Sequence, residues 1–167
     1  MEQVDISIIV PMFNAAKWVS KCFNSILEQT FEGSLEVIAW DDHSDDGTRE
    51  LAESYVTKFR AKGWSLVVSY NPEAKSPEGP GIARNRATKI AKGTYFALQD
   101  VDDEMFQNRL KMQFDAADEL KQVSTDGAES FKNVMIGTQI KRDPEDSTIR
   151  YTRWLNTLSD QLLGQAF

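Results

Sequence analysis

An α/β fold with a mostly parallel sheet flanked by helices is the class the sequence predicts, and three observations predict it. Short β-branched or apolar runs at residues 4–10, 35–40 and 64–70 alternate with stretches whose apolar positions recur at helical spacing. A fourth apolar run, entered from Gly93, ends abruptly in Asp100, Asp102, Asp103 and Glu104. Strands interleaved with helices pair in parallel through crossovers, and such sheets bind ligands outside the carboxyl ends of their strands. That rule gathers the segments after residues 10, 40 and 99 at one edge.

Each element has its own signal. Residues 4–10 read as a first strand closed by Pro11, which cannot donate to a ladder. Between residues 17 and 29, Trp18, Val19, Cys22, Phe23, Ile26 and Leu27 recur in pairs four apart, one face of a helix. Residues 35–40 form the second strand and run into a polar turn, 41–48, rich in helix-capping residues. Leu51, Ala52, Tyr55, Val56 and Phe59 stripe a single following helix that stops at Lys62-Gly63. Residues 64–70 are the third strand, and 71–81 a long loop with three prolines and two glycines. Ile82, Ala83, Ala87, Ile90 and Ala91 mark a helix over 82–92. The run from Gly93 is expected to be a strand buried on both faces. A helix over 108–120 with Leu110, Phe114, Ala117 and Leu120 inward, a loop over 121–130, a strand over 133–140, a charged turn over 141–148 and a short helix over 155–166 complete the reading.

The chain has 167 residues, 41% hydrophobic and 27% charged, which is enough for one domain with a core. No run approaches the length of a membrane span, and residues 6–10 arrive too early for a signal peptide, so a cytoplasmic protein without membrane association is expected. The lone Cys22 falls on an apolar helix face and reads as a packed thiol. A net charge of −7 argues against a broad nonspecific nucleic-acid surface, which needs clustered Lys and Arg.

Aspartates packed as tightly as 100, 102 and 103 repel one another, and an uncompensated buried carboxylate is costly, so a cation is expected beside them. A hard divalent ion, Mn2+ or Mg2+, takes oxygen ligands and needs only one or two carboxylates, with water and phosphate oxygens completing its shell. The alternative is a solvated acidic turn capping the next helix. An aspartate-based phosphatase or receiver domain would carry its nucleophilic aspartate after the first strand, where this chain has Pro11-Met12-Phe13-Asn14.

Four blocks in this order, Val10 to Asn14, Trp40 to Thr48, Gly81 to Asn85, and Gly93 leading to Asp103, resemble the family 2 glycosyltransferases of the GT-A (Rossmann-like) fold. The likeness spans the first two-thirds of the chain. It implies a nucleotide-sugar, commonly a UDP-sugar, lying across the crevice, with a divalent ion bridging its diphosphate to the aspartate motif. Pro11, Phe13 and Asn14 would surround base and ribose, and Asp42, with Asp41, would accept from the uracil N–H. Arg84 would reach the diphosphate, and Asp100 belongs to the same nucleotide-sugar site. Asp102 would touch ribose or the metal and Asp103 would be the direct metal ligand. Two alternatives stand beside these roles: Asp42 caps the helix that starts near Thr48, and Arg84 pairs with a nearby acid.

A narrower likeness covers residues 136–144 and 147–156, including Arg150-Tyr151-Thr152-Arg153-Trp154. These segments resemble the subfamily of beta-1,3-N-acetylglucosaminyltransferase-like proteins, also described as queuosine-tRNA galactosyltransferases. The acceptor this implies is queuosine in tRNA or a glycan, with galactose or N-acetylglucosamine as the donated hexose. Lys141, Arg142, Arg150 and Arg153 form the densest basic group, to be read either as an RNA contact or as surface ion pairs. The family's general base comes from a later segment, so residues 1–167 are expected to be the nucleotide-sugar-binding part of a GT-A domain truncated at the C-terminus, with base and acceptor site beyond Phe167. A module that binds a UDP-sugar without catalysing transfer is the other reading. Gln107 departs from the family, whose members usually carry proline after the acidic motif.

Overall fold

The computed structural model describes residues 3–124, 135–142, 144, 149, 153, 156 and 157. Two compact units divide the chain, Met1–Met112 and Gln113–Phe167. The first holds a four-stranded sheet made of β1 (Val4–Met12), β2 (Leu35–Asp41), β3 (Ser65–Tyr70) and β4 (Gly93–Leu98). Every pairing is parallel and the order is β3-β2-β1-β4. The connections carry α1 (Ala16–Leu27), then α2 (Thr48–Glu53) and α3 (Val56–Ala61), then α4 (Pro80–Ile90), and α5 (Arg109–Ser124) follows β4.

Strands β1 and β2 are the centre, and from Ile6 and Leu35 onward nothing in them is exposed. On one face Ile9, Ile38 and Trp40 pack with Ala83 and Ala87, small residues that let α4 lie close to the sheet. Elsewhere in the core the Phe23 ring of α1 meets Tyr55 and Phe59 edge-on, with centroids 5.4 and 5.7 Å away. Lys62 closes the end of α1 by donating Nζ to the carbonyls of Leu27 and Gln29.

Several boundaries differ from expectation for identifiable reasons. Strand β1 continues through Pro11, in register with Trp40. Residues alternate in the direction of their backbone groups: Ile9 O accepts from Gln99 N on the β4 side, and Met12 O accepts from Asp42 N on the β2 side. Pro11 therefore turns its missing donor toward β4, whose pairing has already ended at Leu98, and no ladder bond is lost. The helix expected over 48–62 is two, because Ser54 Oγ donates to Leu51 O at 2.6 Å and the chain bends before Tyr55.

Strand β4 is not buried on both faces. It is an edge among the described strands, with Thr94, Phe96 and Leu98 exposed and the residues between them half-buried. Helix α5 extends through Ser124, four residues into the expected loop, and Leu120 is exposed rather than inward, as are Ile82 and Ile90 of α4.

In the second unit residues 135–140 are irregular rather than a strand, while 133 and 134 lie outside the described residues. Asn156 brackets Ile140 there, accepting from its N–H at 2.9 Å and donating to its carbonyl at 2.8 Å. Helical backbone occurs at Ile149 and Arg153, earlier than the predicted helix, and at Asn156 within it. Most of the expected turn over 141–148, nearly all of the helix over 155–166, and Arg150 lie outside the described residues. Among the described residues no helix is long and apolar enough to cross a membrane.

Candidate nucleotide-binding cleft

The chain travels from β1 outward to β2 and β3, then returns to place β4 on the other side of β1. That reversal leaves a crevice between the carboxyl ends of β1 and β4, the position where open parallel sheets bind ligands. A cleft of about 600 Å³ lies at this edge. Its walls are Pro11 and Met12 at the end of β1 and Phe13 after it, Asp42 after β2, Pro77, Glu78 and Gly79 of the long loop, Pro80, Ala83 and Arg84 of α4, and Asp100, Val101 and Asp102 after β4. The three strand ends expected to converge do so.

Asp42 is buried, and its two oxygens are held by the loop opposite. Glu78 N–H lies 3.0 Å from both, and Gly79 N–H donates to Oδ2 at 2.7 Å. The carboxylate thus fixes the entry to α4, not to α2. At α2 the capping is done by Asp46, which accepts from the Thr48 N–H at 3.0 Å and from its hydroxyl. What burial Asp46 has pushes its carboxyl up, and these hydrogen bonds with the Ala16 N–H outweigh that effect and hold it below its ordinary value. A carboxylate offers about four acceptor positions, so Asp42 keeps capacity for one more donor from the cleft.

The acidic turn is supported from beneath by Gln99, a buried side chain whose importance no sequence pattern signalled. Its Nε2 donates to the carbonyls of Asp100 and Asp103 at 3.0 and 2.8 Å, and its Oε1 accepts from Arg109 Nη1 at 2.7 Å. Arg109 Nη2 also reaches Leu98 O at 3.0 Å. Burial lowers the guanidinium's pKa, and the charges of Asp103 and Asp100 oppose that, so Arg109 sets a cation under the acidic turn. Cys22 Sγ lies 3.8 Å from Asp100 O, and burial pushes the thiol up to about 12, a packed and unreactive group as expected. Gln29 ties the same region to the end of α1, donating to Phe106 O at 2.8 Å and accepting from Leu110 N at 3.1 Å. The carbonyl of Gln107 accepts from Thr30 N at 2.8 Å, so this departure from the family pattern sits in a well-held turn.

Above the turn, Arg84 forms an ion pair with Asp100, the arrangement anticipated as its alternative role. Its Nε is buried without a hydrogen-bond partner. Phe13 is half-exposed and offers a ring face at the mouth.

Three predicted residues fall outside the cleft lining. Asn14, at φ 46°, joins two loops: its N–H donates to Ser44 Oγ and its Oδ1 accepts from Asp45 N, both at 3.0 Å. Asp41 is buried, accepts from Ser44 N at 3.3 Å through Oδ2, and has Oδ1 without a partner. Asp103 is exposed, and its backbone closes the turn through a 3.1 Å bond from its N–H to Asp100 O. Only Asp100 and Asp102 of the cluster line the cleft.

Among the described residues no three His, Cys, Asp or Glu side chains group closely enough to hold a metal alone. A hard ion that takes one or two carboxylates and fills its shell with water and diphosphate oxygens fits Asp102 and its neighbours by donor type. The sequence missed Gln99, Arg109, Glu78 and Arg86. Arg109 sits six positions beyond the last cluster carboxylate but one, on the first turn of α5, and Arg86 two positions after Arg84.

Comparison with known proteins identifies the family and the fold. A poly(ribitol-phosphate) beta-glucosyltransferase of Bacillus spizizenii is 35% identical over 99 residues, 59% of this chain and 15% of that protein. An Escherichia coli UDP-Glc:alpha-D-GlcNAc-diphosphoundecaprenol beta-1,3-glucosyltransferase is 36% identical over 113 residues, 68% of this chain and 41% of that protein. The chain thus spans well under half the length of these relatives. Residues 1–349 of Staphylococcus aureus TarS, solved in complex with UDP, superpose with a TM-score of 0.59 at 27% identity, covering 83% of this chain and 40% of that one. The parallel sheet and its helices are those of the GT-A fold. The pattern of glycosyl transferase family 2 matches residues 7–160, nearly the whole chain, and the chain belongs to that family.

Proposed function

We propose that residues 1–167 are the nucleotide-sugar-binding part of a metal-dependent, inverting glycosyltransferase that moves a hexose from a UDP-sugar to an acceptor hydroxyl. One observation carries the reading: the cleft at the strand-order reversal sets an acceptor-only carboxylate, Asp42, across from the cation Arg84 and the acids Asp100 and Asp102. Uracil offers an imide N–H to Asp42 while its diphosphate takes the other wall. Pro11 and Phe13 enclose the base, and Asn14 and Asp41 act from behind by holding the loops after β1 and β2. Arg84 exchanges Asp100 for a phosphate oxygen, a favourable trade for a planar fork of donors. Asp102 and Asp103 would hold Mn2+ or Mg2+, which would supply positive charge to stabilise the leaving UDP.

The attacking hydroxyl needs a general base, and none of the cleft residues is assigned that role. In this proposal base and acceptor site belong to sequence beyond Phe167, and the working enzyme acts in the cytoplasm. The acceptor is a glycan or queuosine in tRNA. The named relatives act on poly(ribitol phosphate) or a diphosphoundecaprenol-linked sugar, while the segments from residue 136 to 156 favour tRNA by resemblance. A second reading is a module that binds UDP-sugar without transferring it, since none of the cleft residues is assigned as the general base.

Radiolabelled UDP-galactose and UDP-N-acetylglucosamine, offered with Mn2+ to this chain and to a version extended past residue 167, separate these readings. Queuosine-containing tRNA and poly(ribitol phosphate) serve as acceptors. Label in an acceptor only with the longer chain supports the proposal, and no binding of either donor by either chain contradicts it.

A further inference from the structure

The loop that grips Asp42 is itself gripped. Arg86 on α4 lays its fork on Glu78, with Nη2 donating to Oε1 at 2.8 Å and Nη1 to Oε2. Asn71 Nδ2 donates to the same Oε2 at 3.3 Å. The Arg86 guanidinium also stacks 5.8 Å from the centroid of Trp40, a core ring on β2. Glu78 thus has its side chain anchored to α4 and its N–H on Asp42. Gly79 follows at φ 95°, ψ 161°, a region open essentially to glycine alone, and adds the second N–H.

We propose that Glu78 and Arg86 are a positioning pair that sets base specificity: they hold the two amides that orient the Asp42 carboxylate. The inference rests on Asp42 meeting the nucleobase. Uracil presents an N–H where cytosine presents a bare nitrogen acceptor, so a carboxylate held in place attracts the first and repels the second. A carboxylate free to turn away from the misfit loses that repulsion. Selectivity therefore depends on a pair that acts through Asp42 rather than on the base itself, and an Asp42 with slack would bind both bases alike.

The test is calorimetric titration of UDP and CDP, with Mn2+, into the 167-residue chain, Glu78→Gln, Arg86→Lys and the exchange Glu78→Arg/Arg86→Glu. Both single variants remove the bidentate pair at a partly exposed site, so the fold is expected to persist. The preference for UDP over CDP falls by about tenfold in each, the scale of one charge-assisted hydrogen bond, and returns in the exchange variant. Amide exchange at Gly79, followed without nucleotide, quickens in the singles. Wild type preferring UDP while both singles keep its ratio overturns the inference alone. Wild type showing no preference overturns the assignment of Asp42, and the inference with it.

Discussion

Near the amino end of the sheet Glu36 of β2 is buried, and one of its oxygens accepts from Ser7 Oγ and from Lys92 N, both at 2.6 Å. Ser7 Oγ in turn accepts from Gly93 N at 2.8 Å, so one carboxylate joins β2, β1 and the start of β4. At the carboxyl end Asp100 and Asp102 are exposed, in a turn whose Asp100 and Asp103 carbonyls accept from Gln99, with Arg84 on Asp100. The contrast separates two uses of an acid. Glu36 is tied twice to its own chain through one oxygen and serves cohesion, whereas the turn of Asp100 and Asp102 is held by its main chain and leaves side-chain oxygens at an exposed edge. Asp42 lies between these cases, buried and held by amides yet facing the cleft.

The contrast breaks most visibly at Gly93. A Cβ there would lie 2.4 Å from Ser7 N and 2.9 Å from Ile6 C, backbone atoms that cannot swing aside. Gly93→Ala should lose roughly 3 kcal/mol, the upper range for overpacking, read as a lower urea midpoint. Asp42→Asn comes next. It should weaken UDP binding by about 2 kcal/mol through lost charge assistance, and stability by about 1 kcal/mol because Glu78 and Gly79 lose half of their acceptor set. A fall in urea midpoint with UDP affinity intact would assign Asp42 to the loop alone.

Glu36→Gln should cost about 1 kcal/mol of stability, since the amide keeps an acceptor oxygen but turns a donor into a buried site, and UDP affinity should not move. Asp100→Asn should change stability by less than about 0.5 kcal/mol, because its pair with Arg84 is largely in water. Unfolding of Asp100→Asn at a much lower urea concentration than wild type would erase the distinction between the two ends.

The element order and the meeting of three polar strand ends were legible because periodicity and strand-end chemistry are local. Boundaries that depend on neighbours were not. Pro11 stays in β1 only because β4 stops short of it, and β4 reads as doubly buried because Phe96 and Leu98 are apolar although they face outward. The partners of Asp42 lie 36 and 37 residues away, in a loop whose proline and glycine content signals irregularity but not its contacts. Gln99 and Arg109 escaped notice for the same reason, since one polar side chain beneath a turn leaves no repeat to count. Asp102 and Asp103 are adjacent in sequence and alike in chemistry, and only the fold separates the one on the cleft wall from the one that is not.

That separation gives the most direct test of the central claim, that the carboxyl end binds a uridine diphosphate through a divalent ion. UDP is titrated calorimetrically into wild type, Asp102→Ala and Asp103→Ala, each with Mn2+ and again with a chelator. The account predicts metal-dependent binding in wild type, its loss in Asp102→Ala with the urea midpoint unchanged, and a smaller loss in Asp103→Ala. Binding that survives chelation undiminished, or that Asp102→Ala leaves intact, would contradict it.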